Sequence, residues 1–248
     1  MRIAVGVEYD GTNYHGWQRQ DNVCSIQEKV EQALGQVASC PVIITCAGRT
    51  DAGVHAFGQV AHFDTDANRS DRSWILGANT NLPSDIRILW ARHVSPDFHA
   101  RYSATSRYYR YMIYNHTIAS ALLRHRAMWW PRVLNEQLMQ EAGQFLLGEH
   151  DFSSFRGSGC QARSARRNVM SLGITRGGGV VNIDIKANAF LLHMVRNIVG
   201  ALIKIGAGER PVSWIREVLD ACDRRKAAIT APACGLYLAK IEYDILDK

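Results

Sequence analysis

The chain has 248 residues, 47% of them hydrophobic, which is ordinary for a globular protein able to bury one large core or two modest ones, and nothing in it indicates disorder. Its net charge of +6 is uneven: residues 1–105 hold 9 Lys and Arg against 11 Asp and Glu, whereas residues 106–248 hold 20 against 12. A basic C-terminal half suits a polyanionic partner, because Lys and Arg neutralise phosphates whatever their sequence, although the same charge also suits a plain solvated face.

Ile3, Val5, Val7 and Tyr9 alternate with more polar or smaller residues and predict a first strand with one buried face. In the polar loop that follows, Tyr14, Trp17, Gln18 and Arg19 are candidates to touch a ligand, the aromatics serving equally well as a lid over the core. Ser25 and Glu28 form a capping box, and Ile26, Val30, Ala33, Leu34 and Val37 then share one helical face. Two strands, Val42 to Thr45 and Phe57 to Phe63, are expected on either side of a loop, followed by a helix near Ser70 to Asn79 and a strand from Ile86 to Val94.

The second half repeats this order. Arg107, Tyr109, Tyr111 and Ile113 share one face of a strand, Leu134 to Leu147 reads as a helix, and Asn168 to Thr175 and Val180 to Ala187 as strands. The Arg176-Gly-Gly-Gly179 string between those strands is a hairpin turn, since neither the Gly-Lys-Ser/Thr of a phosphate loop nor a helix follows it. A helix from Ala189, a second near Val212 to Ala221 and a strand from Leu236 to Ile245 complete the half. Each half thus runs βαββαβ, the ferredoxin-like order, and the α+β chain divides into units at 1–105 and 106–248, with the boundary near residues 100 to 106.

Six cysteines, at 24, 40, 46, 160, 222 and 234, show neither CxxC pairs nor Cys/His ligand spacing, so they read as reduced thiols without a zinc site or a disulfide framework. The strand-like start, acidic by Glu8, is unlike a signal peptide, and a cytoplasmic protein is expected. The most apolar long segment, Ala189 to Gly206, is interrupted by His193, Arg196, Asn197 and Lys204, which argues against a membrane span.

The chemistry concentrates in Gly48-Arg-Thr-Asp-Ala-Gly53, a loop whose glycines allow close backbone approach on both sides of Asp51. On local chemistry alone the same string is also an ordinary turn with a surface Asp neutralised by Arg49. However, Gly48 to Ala56 resembles, unbroken over nine residues, the active-site motif of the tRNA pseudouridine synthase A family. Glu8-Tyr-Asp-Gly-Thr-Asn-Tyr-His-Gly-Trp-Gln-Arg-Gln20, Arg107-Tyr-Tyr-Arg-Tyr111 and His193-Met-Val-Arg-Asn-Ile-Val-Gly200 agree in order along nearly the whole chain.

The resemblance implies two ferredoxin-like units with antiparallel sheets side by side and a positively charged cleft. It implies Asp51 as the nucleophile, Arg196 as its cation, Arg49 filling the gap left by the flipped base or holding phosphates, and Tyr109 against the uracil. It further implies action on uridines 38 to 40 of the tRNA anticodon stem-loop, no metal or organic cofactor, and a homodimer. His55, at the start of a strand, reads as a hydrogen-bonded structural residue, and the run from Arg156 to Arg167 as a mobile loop that touches phosphates. The rival readings are a non-catalytic RNA-binding module, whose Lys/Arg-Gly-Phe signature is missing, and an Asp-dependent hydrolase, which would call for a metal or a second acid.

Overall fold

The computed structural model describes residues 1–244, which build ten strands and five α-helices in two compact units. The first unit comprises Met1–Thr105 together with the chain from Tyr237 onward, and the second is Ser106–Leu236.

In the first unit β1 (Arg2–Tyr9) lies between β3 (His55–Asp64) and β4 (Ile86–Val94), antiparallel to both. The alternation read at Ile3 to Tyr9 understates the burial of β1, since Ile3 through Val7 are all buried, as befits a central strand. The other edge of β3 receives the two-residue β2 (Thr45–Cys46), antiparallel, and the start of β10 (Leu236–Glu242), parallel. Helices α1 (Ile26–Ala38) and α2 (Asp71–Asn81) pack on each other, and Trp74 of α2 meets Phe63 of β3 edge to face at 5.2 Å. The Ser25 hydroxyl accepts the Glu28 N–H at 3.3 Å, so the helix starts where the capping box places it.

The strand expected over Val42 to Thr45 shrinks to Thr45–Cys46. One of its amides is taken by a helix instead: the buried Glu31 carboxylate of α1 accepts the Ile44 N–H at 3.1 Å and also the Gln27 side-chain amide at 2.8 Å. A buried carboxylate here satisfies backbone that a neighbouring strand would otherwise have to meet.

In the second unit β5 (Ser106–Asn115), β9 (Val180–Ala187), β8 (Arg166–Gly177) and β7 (Gly148–Asp151) follow one another antiparallel, and the short β6 (Met128–Trp130) runs parallel to β5. The β8–β9 hairpin turns at Gly178 and Gly179, both at positive φ, as the glycine run predicts. Helix α3 (Glu136–Gln144) is shorter than the expected Leu134 to Leu147, because the Asn135 side chain caps it by accepting the Gln137 and Leu138 N–H groups. Helix α4 (Met194–Gly206) packs on β5 and α3, and α5 (Trp214–Asp220) follows it. The helix expected from Ala189 begins only at Met194: Asn188 Oδ1 takes the Ala189 N–H, Leu192 O accepts from Gly157 N at 2.7 Å, and His193 sits at φ 59°. Of the expected last strand, Leu236 to Glu242 is found, and Ile245 lies outside the described residues.

Among the described residues, no helix is long and apolar enough to cross a membrane, and no group of three His, Cys, Asp or Glu side chains is arranged to hold a metal ion.

His62 on β3 is buried, accepts the Ala100 N–H on Nδ1 at 3.2 Å, and is pushed down to about 4 by burial and by the charges of Arg2 and His99. Its folded pKa lies below the ordinary 6.5, so its neutral ring supports the fold above pH 6.5 and that support is lost as pH falls toward 4. The contribution is on the order of 3 kcal/mol. Replacing the ring, as in His62→Gln, is expected to flatten the pH dependence of urea unfolding between pH 6.5 and 4.

Candidate active site

Asp51 stands on the loop between β2 and β3, and a second loop, residues 10–17, braces it. At the root, Ala47 N donates to Val60 O at 2.8 Å, and the fully buried Gln59 side chain bonds both the N–H and the C=O of Gly48. Gln59 thereby extends the strand ladder with side-chain atoms to the point where the loop departs. Further out, Thr50 is buried: its Oγ1 lies 2.7 Å from the Tyr9 hydroxyl, and its carbonyl accepts the Trp17 N–H at 3.0 Å. Gly53 N donates to Tyr14 O at 3.3 Å, and Val54 N closes a turn on Asp51 O at 3.1 Å, with Gly53 at φ 75°.

Two glycines let these loops meet. A Cβ on Gly11 would stand 2.0 Å from Val54 O, and one on Gly16, itself at φ 89°, would stand 2.5 Å from Thr50 O. The backbone on both sides of the Asp51 side chain is therefore fixed, with Asp51 partly exposed and Arg49 exposed. Tyr14 and Trp17, expected as candidate ligand contacts, are buried. The Tyr14 hydroxyl donates to Asp85 at 2.6 Å, and burial raises its pKa. Arg19 stays exposed, 3.5 Å from Glu31.

His55 opens β3 and is buried, its Nδ1 accepting the Gly11 N–H at 3.1 Å, and Asp10 Oδ1 lies 3.1 Å from the same nitrogen. Its ring stacks on Tyr237 at 4.6 Å, which in turn stacks on Phe57 at 4.6 Å. It thus helps to pin the 10–17 brace.

The second unit carries the other two candidates. Tyr109 lies on β5 opposite Ile185, with its ring edge to face with Phe190 at 4.9 Å. Arg196 lies on α4, which packs on β5, and its Nε donates to Ala231 O at 2.7 Å while Ala231 N returns a bond to Arg196 O at 3.1 Å. The polar residues that interrupt the apolar 189–206 segment are not all solvated. Asn197 is fully buried, donating to Phe155 O at 2.8 Å and accepting from Arg224 at 3.0 Å and Thr230 at 2.6 Å. In the basic run, Arg156 bonds the carbonyls of Cys160 and Ala162, and Arg166 pairs with Glu149 at 3.0 Å, so these two guanidiniums brace the protein itself.

The structure thus brings Asp51 and Arg49 together on one loop, and places Tyr109 and Arg196 on a strand and a helix that pack within the second unit. Thr50, Tyr9, Gly11, Gly16 and Gln59 were not singled out by sequence reasoning. The available signals were two glycines in one polar loop and an uncharged amide inside an apolar strand.

The family model described as tRNA pseudouridine synthase matches residues 5–103 and 142–244. The chain belongs to this family. It is 57% identical to tRNA pseudouridine synthase A of Klebsiella pneumoniae (strain 342) over 243 residues, covering 98% of this chain and 90% of that one. It is equally similar, at 57%, to the proteins of that name from Coxiella burnetii (strain Dugway 5J108-111) and Vibrio parahaemolyticus, again over 98% of this chain and over 93% and 92% of theirs. Membership makes the protein an isomerase, and both segments of the family match include site candidates: Asp51 and Arg49 in one, Arg196 in the other.

Substituting Gly16→Ala sets a Cβ against the Thr50 carbonyl at an unfavourable φ. A loss of about 1–3 kcal/mol in urea unfolding is expected. Displacing the Asp51 loop should also lower single-turnover rates on the order of 100-fold.

Proposed function

We propose that this synthase isomerises uridine to pseudouridine at positions 38 to 40 of the tRNA anticodon stem-loop, with Asp51 as nucleophile. The observation that carries the reading is the braced Asp51 loop: a carboxylate on backbone held from both sides is a preorganised nucleophile. The isomerisation breaks the bond between ribose C1′ and uracil N1 and forms one between C1′ and C5. N1 takes up a proton and C5 gives one to solvent, so atoms balance without a redox partner. A group that attacks the base or the sugar, and is then released, keeps the intermediate from being lost to water.

In this reading both halves are ferredoxin-like, residues 1–105 carrying the Asp51 loop and residues 106–248 the basic half, although the chain from Tyr237 packs with the first unit, and tRNA lies in a positively charged cleft. Arg196 is the cation that pairs with the Asp51 carboxylate, and its clasp with Ala231 supports a fixed guanidinium. Arg49 fills the space left by the flipped base or holds a phosphate, a role its exposure supports. Tyr109 lies against the uracil. The enzyme works as a cytoplasmic homodimer, without metal or organic cofactor.

The test is tritium release from unmodified tRNA labelled at uridine C5, with chelator present. Wild type is expected to release tritium, whereas Asp51→Ala should lose at least about 10⁴-fold in rate, on the scale of losing a catalytic nucleophile, and still bind tRNA. Wild type that binds tRNA without releasing tritium would return the protein to the class of non-catalytic RNA-binding modules.

A further inference from the structure

The segment between β4 and β5, residues 95–105, is tied at its root and open at its tip. Ala100 is fully buried, its N–H donating to His62 and its carbonyl accepting the Tyr243 hydroxyl at 2.6 Å. His99 Nδ1 accepts the N–H groups of both Arg101 (3.2 Å) and Tyr102 (3.3 Å), and Ser103 closes the turn by donating its N–H to His99 O at 2.9 Å. From this root Tyr102 projects with 76% of its surface exposed. Its ring rests on His99 at 4.3 Å, His99 rests on the buried His62 at 4.8 Å, and the Arg101 guanidinium lies 5.7 Å from the Tyr102 ring.

A large, fixed and solvent-facing aromatic beside a guanidinium is what single-stranded RNA uses as a stacking platform, because every base offers a π-face and every nucleotide a phosphate. The place of this platform matters. His62, on which it is anchored, pairs in register with Thr45, so the platform stands next to β2, the strand that leads into the Asp51 loop. Burial leaves the Cys46 thiol at the end of β2 raised to about 11, while the charges of Arg49 and Arg101 both act to draw it down. RNA bound along Arg49 and past β2 then has Arg101 and Tyr102 within its path.

We propose that Tyr102 and Arg101 form a second substrate-positioning element, Tyr102 stacking on an unpaired nucleotide that flanks the target uridine and Arg101 holding its phosphate. This rests on the synthase reading above. Both act by positioning RNA and neither touches the reacting atoms.

The test uses the full chain and unmodified tRNA transcript, with binding read by fluorescence anisotropy over a salt series and turnover by tritium release. Tyr102→Ala is expected to weaken Kd and raise KM about tenfold, the effect of losing one stacked base. Tyr102→Phe, which keeps the ring, should restore both to within twofold, a rescue that loss of the hydroxyl alone would not permit. Arg101→Ala should reduce the slope of log Kd against log salt by about 1, as for one phosphate contact. A Tyr102→Ala protein with wild-type Kd, a Tyr102→Phe protein as weak as Tyr102→Ala, or an unchanged salt slope in Arg101→Ala would each overturn the proposal, even while tritium release upholds the synthase. Conversely, if these binding effects occur in a protein that releases no tritium, the platform stands and the synthase reading falls.

Discussion

The Asp51 loop depends on a backbone-to-backbone fit with the 10–17 loop. Thr50 O, the Gly53 N–H and the Val54 carbonyl region are met by Trp17, Tyr14 and Gly11, at separations that leave no room for a Cβ on Gly11 or Gly16. Contact this close converts two irregular segments into one rigid body, and rigidity is what a nucleophile needs if its attack is not to be preceded by a search for position. The Thr50–Tyr9 hydroxyl pair and the His55–Gly11 bond sit beneath this fit, buried, where a lost partner would be costly.

The same device recurs through the molecule: a buried polar side chain stands in for backbone where a regular ladder stops. Glu31 does so for Ile44, Gln59 for Gly48, His62 for Ala100 and Asn197 for Phe155. Each joins an element of the core to an irregular segment. In this way Gln59 supports Arg49 and Asp51, His62 supports Arg101 and Tyr102, and Asn197 lies beside Arg196 in the helix and helps hold the 228–232 segment against it. Charge placement follows a related logic. Arg156 and Arg166 look available to phosphate in the sequence, yet they satisfy carbonyls and a carboxylate of the protein, while Arg49 remains exposed.

The regular elements were legible because local signals agree with the fold. Ser25 caps α1, the glycines at 178 and 179 turn the β8–β9 hairpin, and the alternating residues of β5 and β9 bury one face. The Asp51 loop was legible as a motif. Where the reading missed, a distant partner had decided the outcome: Glu31 takes the Ile44 amide and shortens β2, Gly157 takes the Leu192 carbonyl and delays α4, and Tyr14 and Trp17 sink into the core although their loop is otherwise polar.

The amino-acid sequence by itself determined the family, most of the helices and strands in their order, though not the short β6 and β7, and the motif on the Asp51 loop. These depend on residue type, spacing and short-range periodicity, which act within a few positions along the chain. The tertiary structure alone decided which glycines are close-approach sites, which polar side chains are buried as backbone partners, and that Tyr102 stands exposed on a histidine stack rooted beside β2. Such facts depend on contacts between residues tens of positions apart, His62 with Ala100 and Gly11 with Val54 among them, and no local pattern carries that information.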